Sequence, residues 1–243
     1  MHTVDQKEIA NFAKDSHQWW DENGPFRPLH RLNPIRLSYI KDRLCAHYGK
    51  NTMTFKPFTG LSVLDIGCGG GLVCEPMSRL GARATGVDAD ANAINTASAH
   101  AGEAGLDINY VCASTDDLIK QKKTYDVVLA LEIIEHVTNP QGFVDDCAKL
   151  CKPGGIIIFS TLNRTAKSFA LAKVAAEYVL GWVPAGTHDW KKFIKPSELS
   201  KMVRNAGGQV QNVEGMIYNP VTGAFKRDAH DVDVNYFLTH LKA

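Results

Sequence analysis

Two stretches of the sequence carry residue types at spacings that suit chemistry. The first is Val63-Leu64-Asp65-Ile66-Gly67-Cys68-Gly69-Gly70-Gly71-Leu72. Glycine at Gly67, Gly69, Gly70 and Gly71 lets the chain bend sharply and bring its backbone against a ligand with no Cβ between them. Asp88 stands 21 residues after Gly67. A carboxylate so placed, at the end of the next strand, can accept hydrogen bonds from both hydroxyls of a ribose. The pair therefore suits a nucleoside cofactor. It is not a dinucleotide fingerprint, because Leu72 stands where G-x-G-x-x-G needs its third glycine. Nor does Gly-Lys-Ser/Thr close the loop, as a nucleoside triphosphate site would require.

The second stretch is Leu131-Glu132-Ile133-Ile134-Glu135-His136-Val137. Glu132, Glu135 and His136 stand at i, i+3 and i+4, a spacing that predicts all three on one face of a helical turn. Two carboxylates and an imidazole can ligate a divalent cation. The same pattern also occurs as ordinary structure with no metal, and the spacing leaves both readings open.

The elements that must hold these residues alternate. Ser62–Ile66 is a short apolar run stopped by glycines, 72–80 is helical in pattern, and 82–87 reads as a strand ending at Asp88. Residues 90–103 are alanine-rich and helix-prone. Strands follow at 108–112 and at Tyr125–Leu131, the latter apolar almost throughout, as in a strand covered on both faces. A helix follows Pro140, and Lys152-Pro153-Gly154-Gly155 turns into a strand at 156–160. Such alternation predicts βαβ units around a parallel sheet. The last third departs from it, with a helix near 167–179, another from Pro196, and strands around 209–218 and 232–238. We expect one domain over 1–243. Residues 1–60 form a helical extension and cover, 61–162 the core, 163–195 a helical insertion and 196–243 a closing helix with strands.

Composition narrows the classes further. The 243 residues carry 27 Lys+Arg against 26 Asp+Glu, a net charge of +1. That balance argues against a general nucleic-acid binder. Six cysteines without a secretory signal point to a reducing compartment. Cys147 and Cys151 lack paired ligands and read as small buried apolar groups, and Cys68 as a small side chain in the glycine loop. The start of the chain is polar and contains acids, unlike a targeting peptide, which favours a bacterial source over a processed mitochondrial one. The most apolar long stretch, 168–183, carries Lys173 and Glu177 and is short for a bilayer.

The order Asp65-x-Gly67-x-Gly69-Gly70-Gly71 resembles motif I of the Rossmann-like, class I S-adenosylmethionine-dependent methyltransferases. The resemblance implies an α/β fold with a mostly parallel seven-stranded sheet and helices on both faces. It also implies that Ala113-Ser114-Thr115-Asp116 lies where the adenine binds and that Leu131 lines the cofactor's other side. Three further segments narrow the family: Trp19-Trp20-Asp21 with 28–37, Phe159–Arg164 with 186–194, and Tyr218-Asn219-Pro220 with Asp233–Tyr236. Together they closely resemble the ubiquinone-biosynthesis O-methyltransferases, from about Asp5 to about Phe237.

That resemblance implies two acceptors, a polyprenyl catechol and a later demethylubiquinol, methylated in one site. It carries Arg36, Gly67, Asp88 and Leu131 over as cofactor contacts, beside Asp65, Gly69 and Ser114 from the motifs. It adds a magnesium requirement, with Glu132, Glu135 and His136 as ligands, although magnesium prefers oxygen and His136 suits it least. A phenol has a pKa near ~10, so little phenolate exists at neutral pH. Activation would come from the cation, from His136 as general base, or from His188 in the Gly186-Thr187-His188-Asp189 loop; Glu135 completes the catalytic candidates. Segment 165–183 is expected to touch a membrane surface, because the acceptor resides in lipid. The expected location is cytoplasmic and peripheral to the inner membrane, or its mitochondrial matrix face. A ubiquinone-biosynthesis complex is a further possible partner.

Overall fold

The structure is a computed structural model and describes residues 13–171, 189–219 and 222–243. Strands β1 (Ser62–Ile66), β2 (Arg83–Asp88), β3 (Asn109–Cys112), β4 (Tyr125–Leu131) and β5 (Cys151–Leu162) pair in parallel, in the order β3-β2-β1-β4-β5. Beyond β5 the chain adds β6 (Gly208–Asn219), β7 (Ala224–Asp228) and β8 (Asn235–Lys242), all antiparallel to their neighbours, in the order β5-β8-β6-β7. The sheet thus has eight strands rather than seven. The additional one, β7, is an edge strand of sequence Ala-Phe-Lys-Arg-Asp. Its charges are used: Arg227 donates to Glu214 on β6 at 2.7 Å and to Asp42 at 2.6 Å. A charged edge also discourages pairing with another chain.

Neighbouring residues of each central strand feed two separate cores. Val63, Val127, Leu129, Ile156, Ile158 and Phe237 face helices α1 (Arg27–Tyr48) and α2 (Cys74–Arg79). Leu64, Val128, Ala130, Ile157, Phe159 and Leu238 face the opposite side. That side is covered by α4 (Thr115–Lys120), α5 (Pro140–Leu150) and α6 (Pro196–Asn205), while α3 (Ala91–Glu103) packs beside β2 and β3. Cover on both faces is the reason these strands read as continuous apolar runs.

Caps fix where the helices begin. The Asp90 side chain accepts from the Asn92 N–H at 2.9 Å and starts α3; Ser114 and Asp117 form a reciprocal box at the head of α4; Asn139 accepts from Gly142 ahead of Pro140 in α5. Each such cap contributes on the order of 1 kcal/mol. In the insertion, Thr165 caps a single helical turn at Ala166–Ser168. Residues 172–179 of the helix expected near 167–179, the rest of segment 165–183, and His188 lie outside the described residues.

Candidate active site

β1 has β2 on one side and β4 on the other, so the chain order reverses there and leaves a crevice beyond the carboxyl ends of the strands. The glycine loop leaves β1 into that crevice. Gly67, Gly69 and Gly71 take φ of 74°, 51° and 89°, all in the left-handed region that glycine enters freely. The loop is tied to β2 by N–H bonds from Gly67 and Cys68 to the Val87 carbonyl, at 2.7 and 3.1 Å. At Gly67 a Cβ would collide with Ile133 of the β4 exit, so glycine is needed for space as well as conformation.

Asp88 ends β2 as the spacing predicts. Its two carboxylate oxygens accept from Gly69 N–H and Asp90 N–H, each at 2.9 Å, so the same side chain that would hold a ribose also shapes the turn. Burial raises its carboxyl above the usual range, against the lowering effect of those N–H groups. Asp65 lies beneath the loop, 4% exposed, and burial pushes its carboxyl up to about 7. Arg36 comes from α1, also nearly fully buried, and lowers Asp65 electrostatically. Leu131 closes β4 and is buried at the crevice. Ser114 sits just past β3, but its hydroxyl is committed to the α4 cap, donating to Asp117 at 2.7 Å.

The extension supplies contacts with no local sequence signal. Trp19 lies against Gly69 and Gly70 and stacks on Phe26 with centroids 3.8 Å apart. Trp20 donates its indole N–H to the Gly70 carbonyl at 2.9 Å, and Asn33 of α1 donates to the Leu72 carbonyl at 2.8 Å. Both tryptophans of the doublet thus tie the extension to the glycine loop.

The acidic stretch after β4 departs from expectation. Glu132 is not helical: it takes a φ of 48°, and only Ile134–His136 form a single 3-10 turn. Its N–H bonds to the Ser160 carbonyl at 2.9 Å, and its side chain forms an ion pair with Arg36. Glu135 is 4% exposed and accepts from the Thr161 hydroxyl at 2.8 Å; burial raises its carboxyl, with His136 lowering it and Glu132 raising it. His136 is half-buried on the same turn. The shared face predicted for Glu132, Glu135 and His136 does not form, because the chain turns in the left-handed region at Glu132. Among the described residues no three His, Cys, Asp or Glu are gathered to hold a metal. A dication on Glu132 would also meet the Arg36 guanidinium. The residues as placed do not fit a three-ligand magnesium site.

Residues 37–213 match the family model described as a methyltransferase domain. The chain is 50% identical over 234 residues to the ubiquinone biosynthesis O-methyltransferase of Parvibaculum lavamentivorans, covering 96% of this chain and 92% of that protein. It is 48% identical over 241 residues to the protein of the same name from Caulobacter vibrioides, covering 99% and 95%. Among solved structures, the fold is similar to an S-adenosylmethionine-dependent methyltransferase of Thermotoga maritima, at 13% identity and a TM-score of 0.66, over 97% of this chain and 100% of that one. It is also similar to the magnesium protoporphyrin IX methyltransferase of Synechocystis with bound S-adenosylmethionine, at 16% identity and a TM-score of 0.63, over 99% and 98%. The fold is that of the Rossmann-like S-adenosylmethionine-dependent methyltransferases, and the chain belongs to the ubiquinone biosynthesis O-methyltransferase family.

Proposed function

We propose that this chain transfers the methyl group of S-adenosylmethionine to ring hydroxyls of a polyprenyl catechol and of demethylubiquinol. The observation that carries the reading is the meeting of Gly67, Gly69, Asp88, Leu131 and Arg36 at one crevice, in a chain about half identical to enzymes of that name. Asp88 receives the ribose hydroxyls, the open glycine backbone receives the methionine portion, and Arg36 holds its carboxylate through a two-point fork. The partly buried carboxylates Asp88 and Glu132, above the buried Asp65, make the crevice suited to a sulfonium cation, whose charge is lost on methyl transfer. The acceptor hydroxyl enters from the Glu132–His136 side, where His136 takes its proton as oxygen attacks the methyl carbon in line. Trp19 closes the loop from the opposite side and keeps water out.

Magnesium stands outside this reading, since Glu135 is committed to Thr161 and no three candidate ligands are gathered among the described residues; turnover in excess EDTA against added magnesium tests it separately. Contact with a membrane surface through segment 165–183 is part of the proposal, as is a place in a ubiquinone-biosynthesis complex at the inner membrane. Phe169 and Leu171, 44% and 49% exposed, support an apolar surface there. Among the described residues no helix is long and apolar enough to cross a membrane.

The pathway is tested in a bacterium lacking its own ubiquinone O-methyltransferase. Expression of this chain should restore ubiquinone, measured by mass spectrometry of lipid extracts. Accumulation of demethylated quinols despite folded protein would refute the proposal.

A further inference from the structure

Arg36 and Glu132 join α1 to the exit of β4, 96 residues apart in sequence, with side chains 5% and 17% exposed. The pair is incomplete on both sides. Arg36 Nε and Glu132 Oε1 are buried and have no hydrogen-bond partner among the described residues. One N–H of the guanidinium fork and one oxygen of the carboxylate are therefore left over, although a fork and a carboxylate can satisfy each other twice. Glu132 makes this single contact from a left-handed backbone, which a residue with a Cβ adopts only when its surroundings hold it there. Buried groups left unsatisfied next to a functional crevice mark a place where something else is meant to bind.

We propose that the Arg36–Glu132 pair is a latch that the cofactor opens. The α-carboxylate of S-adenosylmethionine takes Glu132's place on Arg36, and Glu132 is thereby released to hydrogen-bond the acceptor hydroxyl. The inference rests on the cofactor reading above and adds an order of events to it. A second carboxylate cannot join Arg36 while Glu132 remains without placing two like charges against one guanidinium in a buried site. With the cofactor on the fork, both of its arms are used and the orphaned Nε is satisfied. Glu132 then swings from the cofactor half of the crevice to the acceptor half, next to His136, as a positioning residue. No covalent change is involved. S-adenosylhomocysteine carries the same carboxylate, so the latch stays open until the spent cofactor leaves.

Calorimetry with S-adenosylhomocysteine and a short-chain demethylubiquinol tests the latch. Glu132→Gln removes the competing anion, so the variant should bind S-adenosylhomocysteine more tightly than the wild type, by about fivefold, the upper worth of an ion pair that is not fully buried. Its turnover should nevertheless fall. A merely structural role for Glu132 would loosen the site and lower that affinity. The wild type alone supplies a second test that needs no variant: the quinol should bind in the presence of S-adenosylhomocysteine and not in its absence. Equal or weaker cofactor binding by folded Glu132→Gln, or equal quinol binding with and without cofactor, overturns the latch and leaves the methyltransferase reading standing. Failure of the wild type to bind S-adenosylhomocysteine would overturn both.

Discussion

Replacing Asp88 by Asn should disable cofactor binding while sparing the fold, and the arrangement of its oxygens sets the size of the effect. A carboxylate offers about four acceptor positions on its two oxygens. The protein uses two of them, for Gly69 N–H and Asp90 N–H at 2.9 Å, which leaves two for the ribose hydroxyls. Asparagine keeps the shape but converts one oxygen into a donor, which then faces a backbone N–H and offers the ribose no acceptor. Hydrogen bonds to a charged group are worth about 1.5–3 kcal/mol each. Losing one outright and weakening the other costs ~2–4 kcal/mol, or roughly 30- to 1,000-fold in Kd. Titration calorimetry with S-adenosylhomocysteine reads this directly, and denaturant unfolding confirms that the variant is folded. The wild type should show a related pH dependence. The Asp88 carboxyl is raised by burial and must be ionised to serve both hydroxyls, so affinity should fall as pH drops through that raised value. A folded Asp88→Asn protein with wild-type affinity would refute the assignment of the ribose to this side chain.

Trp19 is 9% exposed and packs on both the glycine loop and Phe26, so Trp19→Ala should cost about 3 kcal/mol in urea unfolding and speed cofactor release in stopped flow; a loss below about 1 kcal/mol would deny it the covering role. His240 is fully buried, neither ring nitrogen has a partner among the described residues, and burial pushes its pKa down to about 4. The folded state refuses a proton that the unfolded chain accepts, so this residue's contribution is complete above about pH 6.5 and is lost as pH falls toward 4, by about 3 kcal/mol. An NMR titration of the His240 ring with a midpoint near 6.5 would contradict this. Phe169 and Leu171 are exposed, and replacing both with Glu should abolish recovery of the protein with anionic liposomes in flotation; equal recovery of variant and wild type counts against membrane contact through this segment.

The parallel half of the sheet is legible because its strands are covered on both faces: runs such as Tyr125–Leu131 and Ile156–Phe159 admit few other readings. The same logic misses β7, whose Lys226, Arg227 and Asp228 look like a loop until Arg227 is seen bound to Glu214 and Asp42. At the site, the distance from Gly67 to Asp88 is a local rule of βαβ geometry, and the two residues take the expected places. The spacing of Glu132, Glu135 and His136 is a rule only inside a helix. One left-handed residue at the end of β4 separates the two carboxylates, and spacing carries no information about that turn. The Arg36–Glu132 pair spans two distant segments and has no local signature at all. The covering contacts of Trp20 and Asn33 on loop carbonyls are equally non-local.

The measurement that bears most directly on the central claim is a single-turnover reaction with methyl-labelled S-adenosylmethionine and a short-chain demethylubiquinol. The site described here should yield one S-adenosylhomocysteine for each labelled methyl found on a ring oxygen by mass spectrometry, and Asp88→Asn should yield neither. Tight cofactor binding with no label on the quinol oxygen, or label on carbon or nitrogen instead, would contradict the account.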